Sequence, residues 1–185
     1  MLFDQDIILE SDFVLLKPLS IEDKTGFSQI AFEREIWKHS VNRIYDEAEL
    51  DQFISEAISS KEIQLRLPFT IIDKTKNKIA GSTSFGNYFL KDKRIEIGWT
   101  WLGKEFRRTG LNLQCKKLLI DFAFENLNVE RVEFKTDVLN IAARNALLKL
   151  GAVEEGILRS HTLMHDGRRR DTIYYSILKK EWVNR

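Results

Sequence analysis

The amino-acid sequence predicts an α/β (α+β) fold in which a mixed, mostly antiparallel sheet of about seven strands is flanked by about four helices. Three observations carry this expectation. Residues Arg94 to Leu102 (RIEIGWTWL) alternate as a half-buried strand does. A short basic turn then leads into an amphipathic helix and a second alternating run, RVEFKTDVL, which together make a strand–helix–strand crossover. Near the end, EEGILRSHTLM and RRRDTIYYSIL are joined by His165, Asp166 and Gly167, and Asp-Gly between two strand-forming runs is a strong hairpin signal.

The remaining elements follow in order. Phe13 to Leu19 (FVLLKPL) is rich in strand formers, and Pro18 followed by Ser20, Glu22 and Asp23 marks a strand end and a helix cap. From Asp46 to Gln64, residues Leu50, Phe53, Ile54, Ala57 and Ile58 recur at three- and four-residue spacing, giving a helix whose acidic start suits its dipole. After Pro68, two runs of β-branched and aromatic residues flank a polar turn around Asp73 to Lys78, a hairpin that continues into the strand at Arg94. In that strand Ile95, Ile97, Trp99 and Trp101 are expected on one face, with Glu96, Gly98 and Thr100 on the other. Leu118, Leu119, Phe122 and Ala123 define the buried side of a helix from Leu111 to Asn126, and a second helix, Ile141 to Leu150, ends at Gly151.

Composition narrows the function classes. The 185 residues are expected to form one domain, 1–185, and 43% hydrophobic with 31% charged residues is the balance of an ordinary globular protein. A net charge of +1, from 29 basic and 28 acidic residues, gives no overall field that selects nucleic acid or an anionic membrane, so any anion site must be local. Arg168, Arg169 and Arg170 have no accompanying stacking aromatics or helix-turn-helix pattern, and no nucleic-acid partner is expected. No apolar run reaches the roughly 18 to 20 residues that span a bilayer. The acidic N-terminus and the lone Cys115 fit a reducing cytoplasm. No HExxH, CxxC or EF-hand spacing occurs, so no metal is expected.

The chemistry is concentrated in RIEIGWTWLGKEFRRTGLNLQCKKLLIDFAF, where a strand passes through a basic, glycine-containing turn into a helix. The free N–H groups of a first helical turn, the positive end of the dipole and a glycine that allows close approach together make a pyrophosphate seat. A basic solvated loop ahead of an ordinary helix is the alternative.

Arg107, Gly110 and Asn112 resemble the R-x-x-G-x-G/A turn of the GNAT acetyltransferases, with Asn112 replacing the final small residue. EIGWTWL, RRTGLN, TDVLN, KLGA, EEGILR and GRRRDTIYYSIL resemble, in order, landmarks of the branch containing the ribosomal-protein N-terminal acetyltransferases. The resemblance implies the GNAT fold, a twisted sheet splayed between its fourth and fifth strands, and acetyl-CoA as acetyl donor. It also implies that backbone groups at Trp101 and Leu102 pair with the pantetheine arm. The pyrophosphate then falls to the N–H groups of Arg107, Arg108, Thr109, Gly110, Leu111 and Asn112.

The resemblance further implies an enzyme that moves an acetyl group onto a primary amine, of a protein N-terminus or a small molecule, as a monomer or homodimer. Asn140 matches a position that contacts the cofactor beside the thioester, and it is equally a helix cap. Ala143 stands where this branch often has Ser, and Leu147 where many members carry a Tyr that protonates the leaving thiolate. The alternative is therefore an acetyl-CoA-binding or regulatory protein of the same fold with weakened catalysis. Glu96 is the first candidate for the base, with an ion pair to Lys93 or Arg94 as its structural alternative, and His161 is the second, ahead of His39 and His165. Asp171 is expected to pair with a neighbouring Arg, and Cys115 to be a buried small hydrophobe.

Overall fold

The computed structural model describes residues 2–4 and 6–182. The strands are β1 (Leu9–Glu10), β2 (Val14–Pro18), β3 (Arg66–Asp73), β4 (Lys78–Phe89), β5 (Arg94–Leu102), β6 (Arg131–Asp137), β7 (Val153–Leu163) and β8 (Arg169–Leu178). The helices are α1 (Lys24–Ser28), α2 (Arg34–Trp37), α3 (Glu47–Glu62), α4 (Leu111–Glu125), α5 (Ile141–Leu150) and α6 (Lys179–Trp182). The expected strands and the four expected helices are all present. The two-residue β1 and the single turns α2 and α6 are additions too short to carry a periodic signal.

Local chemistry fixes the boundaries. Asp46 caps α3 by accepting from the Glu49 N–H at 2.9 Å, and Leu50, Phe53, Ile54 and Ala57 are buried beneath it. At the other end of the early segment, Asp23 is a buried carboxylate that accepts from Thr70 Oγ1 at 2.6 Å, Lys17 Nζ at 2.6 Å and the Ser20 N–H at 3.0 Å. It thereby ties the start of α1 to β2 and β3. Gly151, at φ 90°, ends α5 in the left-handed conformation that glycine adopts without steric cost.

The strands lie in one open sheet, in the order β1-β2-β3-β4-β5-β6-β8-β7. Every neighbouring pair is antiparallel except β5 and β6, which run parallel because α4 crosses over between them. Their ladder holds only Arg94 with Arg131, Ile95 with Val132 and Glu96 with Glu133. Beyond that point the two strands part, and these are the strands expected to splay.

The alternation expected across Arg94 to Leu102 breaks in the middle. In the β4–β5 ladder Gly98 pairs with Ser84 and Trp101 with Ser82, so Trp99 and Thr100 together oppose Thr83. The extra residue is a β-bulge, and Trp99 turns through it at φ 51°. Trp101 consequently lies on the face of Glu96 and Gly98, and Thr100 on that of Ile97, the reverse of the strict alternation. Trp101 joins an aromatic cluster with Phe27 of α1, Trp37 of α2 and Phe53 of α3, at centroid distances of 5.4, 5.1 and 6.1 Å. On the opposite face, Phe85 of β4 packs against Phe122 of α4. The early helices thus cover the Glu96 face, while α4 covers the other. Among the described residues no helix is long and apolar enough to cross a membrane.

Lys116 of α4 reaches under the bulge. It is 7% exposed, donates to Thr100 Oγ1 at 2.8 Å and sits 5.7 Å from the Phe134 ring centroid, while Thr100 in turn meets Thr83 Oγ1 at 2.8 Å. Burial pushes the Lys116 ammonium down from 10.5 to about 8. Between those two values the unfolded chain binds more protons than the native one, so wild-type stability rises with pH across that window, and the cost of the buried charge is fully present below it. Lys116→Met keeps the stem and removes the charge. It is expected to match or exceed the wild type at pH 7, by up to about 3 kcal/mol, with the difference narrowing from pH 8 to pH 10 in denaturant titrations. A pH-independent difference would show that the ammonium is not desolvated.

Candidate functional site

The parting of β5 from β6 leaves the β5 edge from Ile97 to Leu102 without a strand partner on that side. An unpaired edge of this kind accepts an extended ligand as an additional strand. Trp101 and Leu102 lie at its end, both buried, with the Trp101 ring packed on Trp37.

The edge runs directly into the basic turn. Arg108 and Gly110 adopt left-handed backbone, at φ 63° and 89°, and Leu111 opens α4. Thr109 Oγ1 donates to the Phe106 carbonyl at 2.8 Å and accepts from the Leu111 N–H at 3.3 Å, while the Leu111 side chain is buried as an anchor. Among the described residues no acceptor engages the N–H groups of Arg108, Thr109, Gly110 or Asn112, and Asn112 Oδ1 is buried without a partner. A Cβ added to Gly110 would meet nothing within 4 Å. Free N–H groups, left-handed turns and open space beside a helix start are what an anionic diphosphate requires, and the residues fit that group.

Arg107 plays a different part from the one its sequence position suggests. Its Nε donates to the Leu102 carbonyl at 3.0 Å, and burial lowers its pKa, so it braces the turn from within. Cys115 is fully buried and its thiol is pushed up to about 12 by desolvation, which makes it inert as a nucleophile.

Glu96 sits where the β5–β6 ladder ends and is 4% exposed. Its Oε2 accepts from Asn87 Nδ2 at 2.7 Å and is ion-paired with Lys135 Nζ at 3.0 Å. The ion pair expected with Lys93 or Arg94 is thus made by Lys135, and Arg94 instead reaches Glu133 at 3.1 Å. Oε1 has no hydrogen-bond donor among the described residues, and a Cβ at position 98 would come within 2.9 Å of it, so Gly98 keeps the space beside that oxygen open.

The other candidates are more scattered. Asn140 caps α5, its Oδ1 accepting from the Ala143 N–H at 3.1 Å. His161 lies out on β7, its Nδ1 3.1 Å from Thr172 Oγ1, with β8 and β6 between it and the split. His39 Nδ1 is 3.7 Å from Asp137 Oδ2, and His165 reaches the Trp37 carbonyl. Leu147 is buried and offers no proton. Asp171 departs from expectation: its Oδ1 accepts from the Ser160 N–H at 2.6 Å, and the arginine of that hairpin which finds a carboxylate is Arg168, on Asp137. The partner Asp171 takes is brought to it by the β7 irregularity between Leu158 and Thr162.

Of the residues that sequence reasoning left unmarked, Asn87 and Lys135 meet Glu96 Oε2, and Arg66 stands two strands away in the same register row. Lys135 and Arg66 each lie near the Trp99 ring, at 5.7 and 5.5 Å from its centroid. Arg66, Gly86 and Glu96 pair across β3, β4 and β5, a row that depends on strand register and carries no signal in the linear order. Among the described residues no cluster of His, Cys, Asp and Glu could hold a metal ion.

Comparison with known proteins agrees with this geometry. The family profile described as "Acetyltransferase (GNAT) domain" matches residues 14–153. YdaF of Bacillus subtilis (strain 168), provisionally named a ribosomal N-acetyltransferase, is 36% identical over 104 residues, a stretch spanning 56% of this chain and 56% of YdaF. A GCN5-related N-acetyltransferase from Brucella melitensis superposes with a TM-score of 0.89 at 26% identity, covering 97% of this chain and 81% of that one. A ribosomal-protein-S5-alanine acetyltransferase from Vibrio fischeri, at 20% identity and a TM-score of 0.76, shares the fold over 96% of this chain and 99% of its own. The profile spans most of the chain, and the chain belongs to the GNAT acetyltransferase domain family.

Proposed function

We propose that the chain transfers an acetyl group from acetyl-CoA to a primary amine that approaches on the Glu96 face of the sheet. The observation that carries this reading is one continuous path. The ladder ends at Glu96, the β5 edge stays unpaired to Leu102, and the turn that follows presents free N–H groups. Backbone groups at Trp101 and Leu102 serve the pantetheine arm, and Arg107 holds the turn in shape. Arg108, Thr109, Gly110, Leu111 and Asn112 form the pyrophosphate seat, and Asn140 lies at the end of β6 across the split.

In the reaction the amine nitrogen bonds to the thioester carbonyl carbon, the carbon–sulfur bond breaks, and the proton lost by the amine passes to a base. Glu96 Oε1 takes that proton, directly or through a water, while Asn87 and Lys135 hold Oε2 still. His161, further out on β7, is the second candidate. Leu147 cannot protonate the thiolate, which leaves as the anion or takes its proton from water or the acceptor. The name of YdaF supports a ribosomal acceptor, and small-molecule amines fit the same chemistry. Leu147 and Ala143 favour a second reading, a protein that binds acetyl-CoA without turnover. Calorimetric titration with acetyl-CoA, followed by thiol release against a panel of amines, separates the two.

Three outcomes are expected. Gly110→Trp abolishes acetyl-CoA binding, because the side chain enters the open space beside the turn; unchanged affinity by calorimetry would remove the pyrophosphate seat from this turn. Arg107→Ala weakens binding by about 1–2 kcal/mol through loss of the brace on Leu102, and total loss of binding in a folded variant would contradict a seat made of backbone. Glu96→Gln retains acetyl-CoA affinity and lowers turnover by roughly a hundredfold at neutral pH, the defect shrinking as rising pH supplies neutral amine. Normal turnover across the pH range would leave Glu96 structural and pass the proton to His161.

A further inference from the structure

We propose that Arg66 and Trp99 form a carboxylate subsite for the acceptor, so that the preferred acceptor is an amine bearing a carboxylate several bonds from its nitrogen. The proposal rests on the transferase reading above, which places the acceptor amine at Glu96.

Seven charged side chains are buried among the described residues, and six of them have hydrogen-bond partners: Asp23, Asp73, Glu96, Lys116, Asp137 and Arg170. Arg66 is the exception. It is 6% exposed, its Nε is buried with no hydrogen-bond partner, and among the described residues no carboxylate lies within ion-pair distance. Buried polar groups are almost always satisfied, and a guanidinium does not escape by losing its proton. Glu56 is the acid whose charge it feels, but Gln52 Nε2 holds Glu56 Oε1 at 2.7 Å. The guanidinium instead lies 5.5 Å from the Trp99 ring centroid.

The ring is held there by two features. Trp99 takes left-handed backbone at φ 51°, a strained state for a bulky residue, and Gly86 leaves the room, since a Cβ there would stand 2.5 Å from the indole. A pocket of about 160 Å³ opens at this point, lined by Asn42, Glu56, Ser60, Leu65, Arg66 and Trp99. Its size suits a small planar group, and the guanidinium fork matches a carboxylate. Arg66 and Glu96 stand two strands apart in one register row, about 10 Å at the ordinary strand spacing. That span separates the anionic group from the reacting nitrogen. Lys135, the other cation near the indole, is already paired with Glu96, so Arg66 is the one left to receive the ligand.

The test uses acceptor pairs that differ only in this charge: 6-aminohexanoate against 6-aminohexanamide, and the C-terminally amidated tripeptide Gly-Gly-Glu-amide against Gly-Gly-Gln-amide. The wild type is expected to favour the charged member of at least one pair in kcat/KM by about tenfold, and which pair responds distinguishes a small amine from a peptide. Arg66→Gln brings that ratio near one, and Arg66→Lys, which keeps the charge without the fork, falls between. Circular dichroism melts establish that both variants fold. A ratio near one in the wild type, or a ratio unchanged in folded Arg66→Gln, overturns the subsite while leaving acetyl transfer standing. If no amine turns over, acetyl transfer itself fails, and the subsite is read directly from the Arg66 Nε–H resonance, identified by its absence in Arg66→Gln. A shift on titration with hexanoate but not hexanamide supports it, and no shift overturns it.

Discussion

Opposite Thr83, β5 carries two residues where the ladder has room for one, and the positions of Trp99, Thr100 and Trp101 follow from that mismatch. Trp101 is sent under the early helices, Thr100 toward Lys116, and the Trp99 ring across Gly86. The same distortion comes just after the last rung shared with β6 at Glu96, so bulge and split are adjacent. A strand that is bent and locally overtwisted cannot stay in step with a parallel neighbour. The unpaired β5 edge and the face that carries Glu96, Trp99 and Trp101 are therefore set by one irregularity, seen from its two sides.

Much of this was legible in the linear order. The acidic start of α3, the Asp-Gly turn and Gly151 announce themselves because each answers a local backbone need that few residue types meet, whereas the cap made by Asp46 emerged with the structure. The turn from Arg107 to Asn112 was legible for the same reason, although the role of Arg107 was not: whether a guanidinium faces outward or back toward the Leu102 carbonyl is decided by packing. The bulge was invisible. RIEIGWTWL alternates well enough that strict pairing is its simplest reading, and the extra residue appears only once β4 is laid beside it. Arg66, Lys135 and Asn87 were missed because their relation to Glu96 is a matter of register between distant segments.

Near-neutral overall charge conceals a strongly uneven interior. Arg168, written in sequence as part of a basic turn, is drawn to the buried Asp137, and Arg170 to Thr172. The hairpin arginines are thus internal fastenings, and what the surface lacks in field the site keeps locally, in Glu96, Lys135 and Arg66.

The sheet has an unusual mechanical character. Five strands lie on one side of the β5–β6 seam and three on the other, and three residue pairs close it, with α4 as the covalent strap between. So short a seam leaves most of the β5 edge open on that side. A ligand lying in the gap and pairing with the β5 edge supplies the rungs the polypeptide omits.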